Sequence, residues 1–221
     1  MKSLSRVFIK IIDLLKKLLV PEDERISRLL QMKPDNLVRL LPKSPVLLTN
    51  IDILFDYRNK AVKLLIKSLK YKNNIDLKNI FAQSLLDRLL DMSSEITLFT
   101  GREPIIIPVP MSKKEQRERG FNQCEELLKQ IKKKSPKNFD IRFNVLEKIR
   151  DTKRQAKLDK ENRYNNIHLS MQVRDAAKQQ VIDRVVIVVD DIYTTGATFR
   201  EAKRALIAAE AKDCYGLFLA H

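Results

Sequence analysis

An acid pair followed by hydroxyls and a glycine is the arrangement in this sequence best suited to chemistry. The run Val185-Val186-Ile187-Val188-Val189-Asp190-Asp191-Ile192-Tyr193-Thr194-Thr195-Gly196-Ala197-Thr198 leads into a helical pattern from Phe199 to Glu210. A buried strand entering a short polar loop and then a helix gathers free backbone N–H groups at the positive end of a helix dipole, a ready anion site. Thr194, Thr195 and Thr198 add hydroxyl donors, and Gly196 gives freedom where a β-carbon would obstruct a close phosphate. Carboxylates beside a phosphate cradle would repel the same anion unless they serve another part of the ligand. Sugar hydroxyls meet that need: Asp190 and Asp191, at the C-terminal end of the strand, can accept hydrogen bonds from vicinal ribose hydroxyls. They also favour positive charge developing on the ring, as in an oxocarbenium-like transition state. The competing reading has the two aspartates capping the turn while the threonines only start a helix. The joint occurrence of strand, acid pair, threonines, glycine and helix favours a site.

The elements that must position this loop are legible from periodicity. Ile51, Ile53, Phe55 and Tyr57 alternate with Asp52, Leu54 and Asp56, the period of a strand with one preferred face. Helical spacing continues from Lys60 to Lys70 and from Leu77 to Met92. Short, turn-bounded apolar runs come next at Pro104 to Val109, Val145 to Ile149, Val185 to Val189 and Tyr215 to Leu219. Strand-like runs separated by helical segments predict an α/β fold with a mainly parallel sheet covered on both faces. Before them, Leu4 to Val20 sets Leu4, Phe8, Ile11, Ile12, Leu15, Leu18 and Leu19 on one helical stripe opposite basic residues. Pro21 ends that stripe, and Pro34, Pro42 and Pro45 interrupt the short helical patterns between it and Asn50. The expected organisation is a small helical appendage over residues 1–50 and a core domain over residues 51–221.

Composition narrows the function classes. The 221 residues carry 43 Lys plus Arg against 28 Asp plus Glu, a formal charge of +15, which attracts polyanions without choosing among phosphorylated metabolites, nucleic acid and lipid headgroups. With 44% apolar residues the chain can bury a full core, so wholesale disorder is excluded. Cys124 and Cys214, His168 and His221 have no ligand spacing, which excludes a zinc ribbon or a disulfide scaffold. No apolar stretch approaches the roughly 20 residues needed to span a bilayer, so a cytoplasmic protein without a transmembrane segment is expected. Few aromatics, with no Trp, leave little for a base-stacking platform. A buried helical Cys124 is expected rather than a nucleophile.

The segment from Asp190 to Thr198 resembles the ribose-phosphate signature of type I phosphoribosyltransferases, with Ala197 where a second glycine is frequent. Further stretches resemble the ComF family of competence-associated, phosphoribosyltransferase-like proteins. They are Pro108-Val109-Pro110-Met111-Ser112, Arg117-Glu118-Arg119-Gly120-Phe121-Asn122-Gln123, Phe55-Asp56-Tyr57-Arg58 and Leu69-Lys70-Tyr71. Arg150, Thr152, Gln155, Leu158, Arg163 and Asn166 fit that family's spacing. The resemblance covers about Ile51 to His221. Family members commonly open with a Cys-rich zinc ribbon, whereas this sequence has no cysteine before Cys124.

The resemblance implies a type I phosphoribosyltransferase fold and a site for 5-phosphoribosyl 1-pyrophosphate at the C-terminal ends of the strands. Mg²⁺ would be held mainly by the substrate and water, with no protein metal ligands. Thr194 to Thr198 would hold the 5-phosphate and Asp190 with Asp191 the ribose. The loop through Pro110, Met111 and Ser112, with Lys113, Lys114 and Arg119, would meet pyrophosphate. Asn122 and Gln123 could cap a helix or contact ligand. The Arg150 to Asn166 segment reads as a lid whose Arg150 and Arg163 neutralise leaving pyrophosphate on closure. The acceptor is not readable. The alternative is a non-catalytic donor or nucleotide sensor that binds DNA or competence machinery, and an apolar helix without a partner would allow a homodimer.

Overall fold

The computed structural model describes Leu29, residues 31–32, 34–72, 74–135, 137–149 and 169–221. The helical stripe expected over Leu4 to Val20 and the lid arginines Arg150 and Arg163 lie outside the described residues. Helix α1 (Pro34–Leu40) precedes strand β1 (Ile51–Phe55), and helices α2 (Lys60–Lys72) and α3 (Ile75–Thr100) then lead to β2 (Ile105–Pro108). Helices α4 (Lys113–Arg119) and α5 (Gln123–Lys134) connect to β3 (Asp140–Ile141), after which β4 (Leu146–Lys148) and β5 (Met171–Val173) pair with each other. A 3₁₀ turn (Asp175–Ala177) and helix α6 (Lys178–Val181) enter β6 (Val185–Ile192), α7 (Ala197–Ala208) and β7 (Asp213–Ala220).

Five strands form one sheet in the order β1-β7-β6-β2-β3, and every pairing in it is parallel. Parallel strands are covered on both faces, which is why β6 reads as an unbroken apolar run rather than an alternation. On one face Ile106, Ile187, Val189, Leu217 and Leu219 pack under α1, α2, α3 and α5. On the other, Ile105, Ile107, Val186, Val188 and Phe218 pack under α7 and the β4-β5 hairpin. Each fully buried Val, Leu or Ile contributes roughly 1.5–3 kcal/mol. Leu37 and Leu41 join the first cluster, and Pro42 O accepts from Asp56 N, so the residues leading into β1 are stitched to the sheet's edge.

Three expectations change. The Val145 to Ile149 run does not enter the main sheet but forms an antiparallel hairpin with β5. Asn144 turns the chain at φ 62, and Glu147 with Lys148 put charges where a doubly covered strand tolerates none. The fifth strand is instead β3, two residues long and too short to show a period. Helix α3 runs well past Met92 because Ser94 Oγ and Thr100 Oγ1 donate to the carbonyls of Leu90 and Ile96 instead of breaking it. Gly101, at φ 71, ends it with its N–H on Thr97 O. No helix among the described residues is long and apolar enough to cross a membrane.

Candidate functional site

Strand β2 ends opposite Val189, while β6 continues to pair with β7 as far as Ile192. Asp190 and Asp191 therefore project beyond β2 at the C-terminal edge of the sheet. The chain leaving β2 stays close, since Val109 N donates to Val189 O. Tyr193 N donates to Ala220 O, anchoring the Thr194 to Gly196 loop to the neighbouring strand. Gly196 caps α7 in the left-handed conformation at φ 73, and Thr195 Oγ1 accepts from Ala197 N at 3.4 Å. The glycine has a reason beyond ligand approach. A β-carbon there would come within 2.8 Å of Tyr193 Cζ, and that ring is held edge-on against Phe218.

The acid pair is not bare. Asp191 is 5% exposed, its Oδ2 is 2.9 Å from Lys70 Nζ on α2, and it accepts from Gln123 Nε2 at the start of α5. Asp190 Oδ1 accepts from Asp191 N at 2.8 Å and faces Cys124 Sγ at 3.8 Å. Burial, followed by the charge of Asp191, pushes Asp190 up to about 7, against the pull of Lys70 and Lys148. Burial depresses Lys70, but Asp191 and then Asp190 outweigh it, and its net shift is upward. Burial and the two aspartates raise the Cys124 thiol well above its ordinary value, so it stays protonated. This agrees with a buried helical cysteine.

Around the pair stand cations held by internal partners. Lys148, on β4, lies 3.0 Å from Glu115 Oε2. Arg119 stacks over the Tyr71 ring at 5.9 Å and acts electrostatically on Lys70. Glu115 is committed twice: burial raises it, yet Lys148 and the Ser112 N–H bring its net shift below the ordinary range.

Of the positions read from the sequence, Asp190, Asp191 and Arg119 converge here, with Thr194, Thr195 and Gly196 in the adjoining loop and Ala197 and Thr198 opening α7. Pro110 and Met111 are half-buried in the turn after β2. Ser112 is the N-cap of α4 in a reciprocal capping box with Glu115. Lys113 and Lys114 stand exposed on that helix. The open choice for Asn122 resolves to a cap: its Oδ1 accepts from Cys124 N and Glu125 N, while Nδ2 donates to Val109 O. Gln123 resolves to an acid-pair partner, and its buried Oε1 has no partner.

Lys70, Lys148 and Cys124 are site neighbours that the sequence did not mark as such. Lys70 sits in the Leu69-Lys70-Tyr71 stretch already noted, but only tertiary packing shows that it reaches Asp191. The Cys124 Sγ and the two carboxylates come within 4.8 Å of one another. A thiol with raised proton affinity is a poor ligand for hard Mg²⁺. Asp191 already holds Lys70, so this trio does not fit a resident magnesium ion.

Fold and site together define an α/β protein with an acid pair and a glycine-closed loop at the strand ends. No family model matches the sequence. It is similar to the competence protein ComFC of Bacillus subtilis, 28% identical over 150 residues that make up 67% of this chain and 55% of that protein. It is 29% identical to ComFC of Streptococcus pneumoniae over 161 residues, 72% of this chain and 63% of the relative. To competence protein F of Haemophilus influenzae it is 25% identical over 169 residues, 75% and 71% respectively. The match thus spans little more than half of the Bacillus protein. A hypoxanthine phosphoribosyltransferase from Staphylococcus aureus overlays 63% of this chain and 62% of its own at TM-score 0.34 and 10% identity, too loosely to bear on the site. The ComF resemblance read from the motifs holds over most of the chain.

Proposed function

We propose that the protein binds 5-phosphoribosyl 1-pyrophosphate with Mg²⁺ in a type I phosphoribosyltransferase-like site and transfers the phosphoribosyl group to a nucleophile, releasing pyrophosphate. The observation that carries this reading is the strand-end pair Asp190 and Asp191 leading straight into a loop that Gly196 closes at the start of α7. In this reading the 5-phosphate lies against the loop from Thr194 to Thr198 and the ribose hydroxyls face the acid pair. When bound, Mg²⁺ would be held by the donor's oxygens and water and would supply charge neutralisation. Lys148 and Arg119 face the leaving group, and Arg150 and Arg163 from the segment after β4 add to them. The protein's own contribution to the rate is placement and a fixed negative field under the ring. The setting is cytoplasmic, where such donors are found.

Calorimetry of the donor with Mg²⁺ tests this, comparing the native chain with an Asp190→Asn, Asp191→Asn double variant. Binding by the native chain and its loss in the variant are the expected results. No binding to the native chain overturns the reading.

A second reading rests on the +15 charge and the competence proteins among the relatives. The same site would sense a donor or nucleotide without turnover while the basic surface engages DNA or competence machinery. Tight donor binding without pyrophosphate release, with DNA affinity falling steeply as salt rises, favours it.

A further inference from the structure

The two aspartates share a loop and a strand end, yet their surroundings differ. Asp191 Oδ2 receives Lys70 at 2.9 Å with both side chains largely withdrawn from water, 17% and 7% exposed. The same oxygen receives Gln123 Nε2, and that amide leaves its Oε1 buried without a partner. Stranding a buried acceptor is costly, so the orientation is favourable only if Asp191 demands donors. Asp190 has no such counter-cation: the described residues form no ion pair with it, and its Oδ1 takes only the Asp191 N–H and the distant thiol.

We propose that Lys70 is a positioning residue that, with Gln123, commits Asp191 to internal donors and leaves Asp190 as the carboxyl of the pair that responds to pH and to a ligand. The proposal borrows from the donor reading only the identity of the ligand. The groups facing Asp190 are Asp191 on its own strand, Lys70 from α2, Lys148 from β4 and Cys124 from α5. The thiol stays neutral, so burial and then the Asp191 charge raise Asp190, opposed by the Asp191 N–H and then by Lys70 and Lys148. Lys70 therefore sets two things at once. It keeps the floor of the site from repelling a phosphorylated ligand, and it lowers the pH range over which Asp190 changes from hydrogen-bond acceptor to donor toward a hydroxyl.

Two measurements on the full chain test this. The first is a ¹³C NMR titration of the aspartate carboxyls, with Asp190→Asn identifying the resonance. Lys70→Met should move the Asp190 midpoint to higher pH, while Lys70→Arg should leave it near the native position. The second is calorimetry with the phosphoribosyl donor and Mg²⁺. Lys70→Met should weaken binding by about tenfold and displace its pH profile upward, with Lys70→Arg restoring most of both. Should Lys70→Met fail to fold, Lys70→Gln removes the charge but keeps a donor to Asp191, and the same shifts are expected. An unchanged Asp190 midpoint in the neutral variants overturns the proposal, whatever binds. A shifted midpoint without any donor binding by the native chain overturns the donor reading and leaves the division between the aspartates standing. Native binding with an unaltered profile in Lys70→Met does the reverse.

Discussion

Among the described residues, two regions that bury a carboxylate beside a cation behave in opposite ways. At the foot of α7, Glu201 accepts Arg204 Nε and Nη2, both at 2.8 Å, together with Met171 N at 3.0 Å. Arg204 Nη2 also reaches Met171 O at 2.7 Å, riveting the hairpin to the helix. Burial raises Glu201, but Arg204 and the backbone donor prevail and its net shift is downward. At the C-terminal end of β6, Lys70 pairs with Asp191, and burial and the Asp191 charge raise Asp190 to about 7. A planar guanidinium and a backbone amide saturate one carboxylate, whereas a single ammonium committed to one of two adjacent carboxylates leaves the other without an ion pair. The saturated cluster is built for stability. The undersupplied one keeps an unmet demand that a ligand can answer, and this contrast marks the site more sharply than burial does.

The widest separation between the two regions should come with pH. Asp190 binds its proton more tightly folded than unfolded, so its contribution to stability is fully present below its ordinary 3.8 and is lost as pH rises through about 7. Glu201 has the opposite sign: its contribution is present above 4.5 and disappears as pH falls below that value. Urea midpoints followed from about pH 3 to pH 8 should therefore flatten between about pH 4 and pH 7 in Asp190→Asn and below 4.5 in Glu201→Gln. Identical slopes in both variants would erase the distinction. Glu201→Ala strands Arg204 and the Met171 N–H and should cost about 3 kcal/mol in urea denaturation. Donor affinity would change little if the hairpin anchor is only structural. Gly196→Ala forces a left-handed alanine onto the Tyr193 ring and should cost about 2 kcal/mol along with most donor binding. The smallest effect, about 1 kcal/mol in the same assay, is expected for Asn122→Ala, which uncaps α5 and frees Val109 O.

The fold was readable where the physics is local. The apolar run of β6 and the loop after it are set by neighbours in sequence, and they stand where periodicity placed them. Val145 to Ile149 misled because a short run bounded by turns looks alike in a parallel sheet and a hairpin, and the charges of Glu147 and Lys148 were the discounted signal. Asp140–Ile141 is too brief to show any period. At the site, Asp190, Asp191 and Gly196 announced themselves by type and spacing. Lys70 did not, because a lysine in a helix carrying four others between Lys60 and Lys72 looks like solvated surface until α2 is laid against the strand ends.

Strand β1 finds its sheet neighbour in β7, with Ile51 opposite Gly216. During vectorial synthesis β1 therefore leaves the ribosome long before the strand that completes it. Until then its N–H and C=O groups on that side have no template, and the hydrophobic residues of α2 and α3 have only half a floor to rest on. High contact order of this kind slows folding and prolongs the lifetime of adhesive intermediates. On the far side, backbone contacts from Pro42 and Ser44 to Asp56 and Leu54 form entirely within the chain already made. That early clasp shields one flank of β1 while the other waits for its partner.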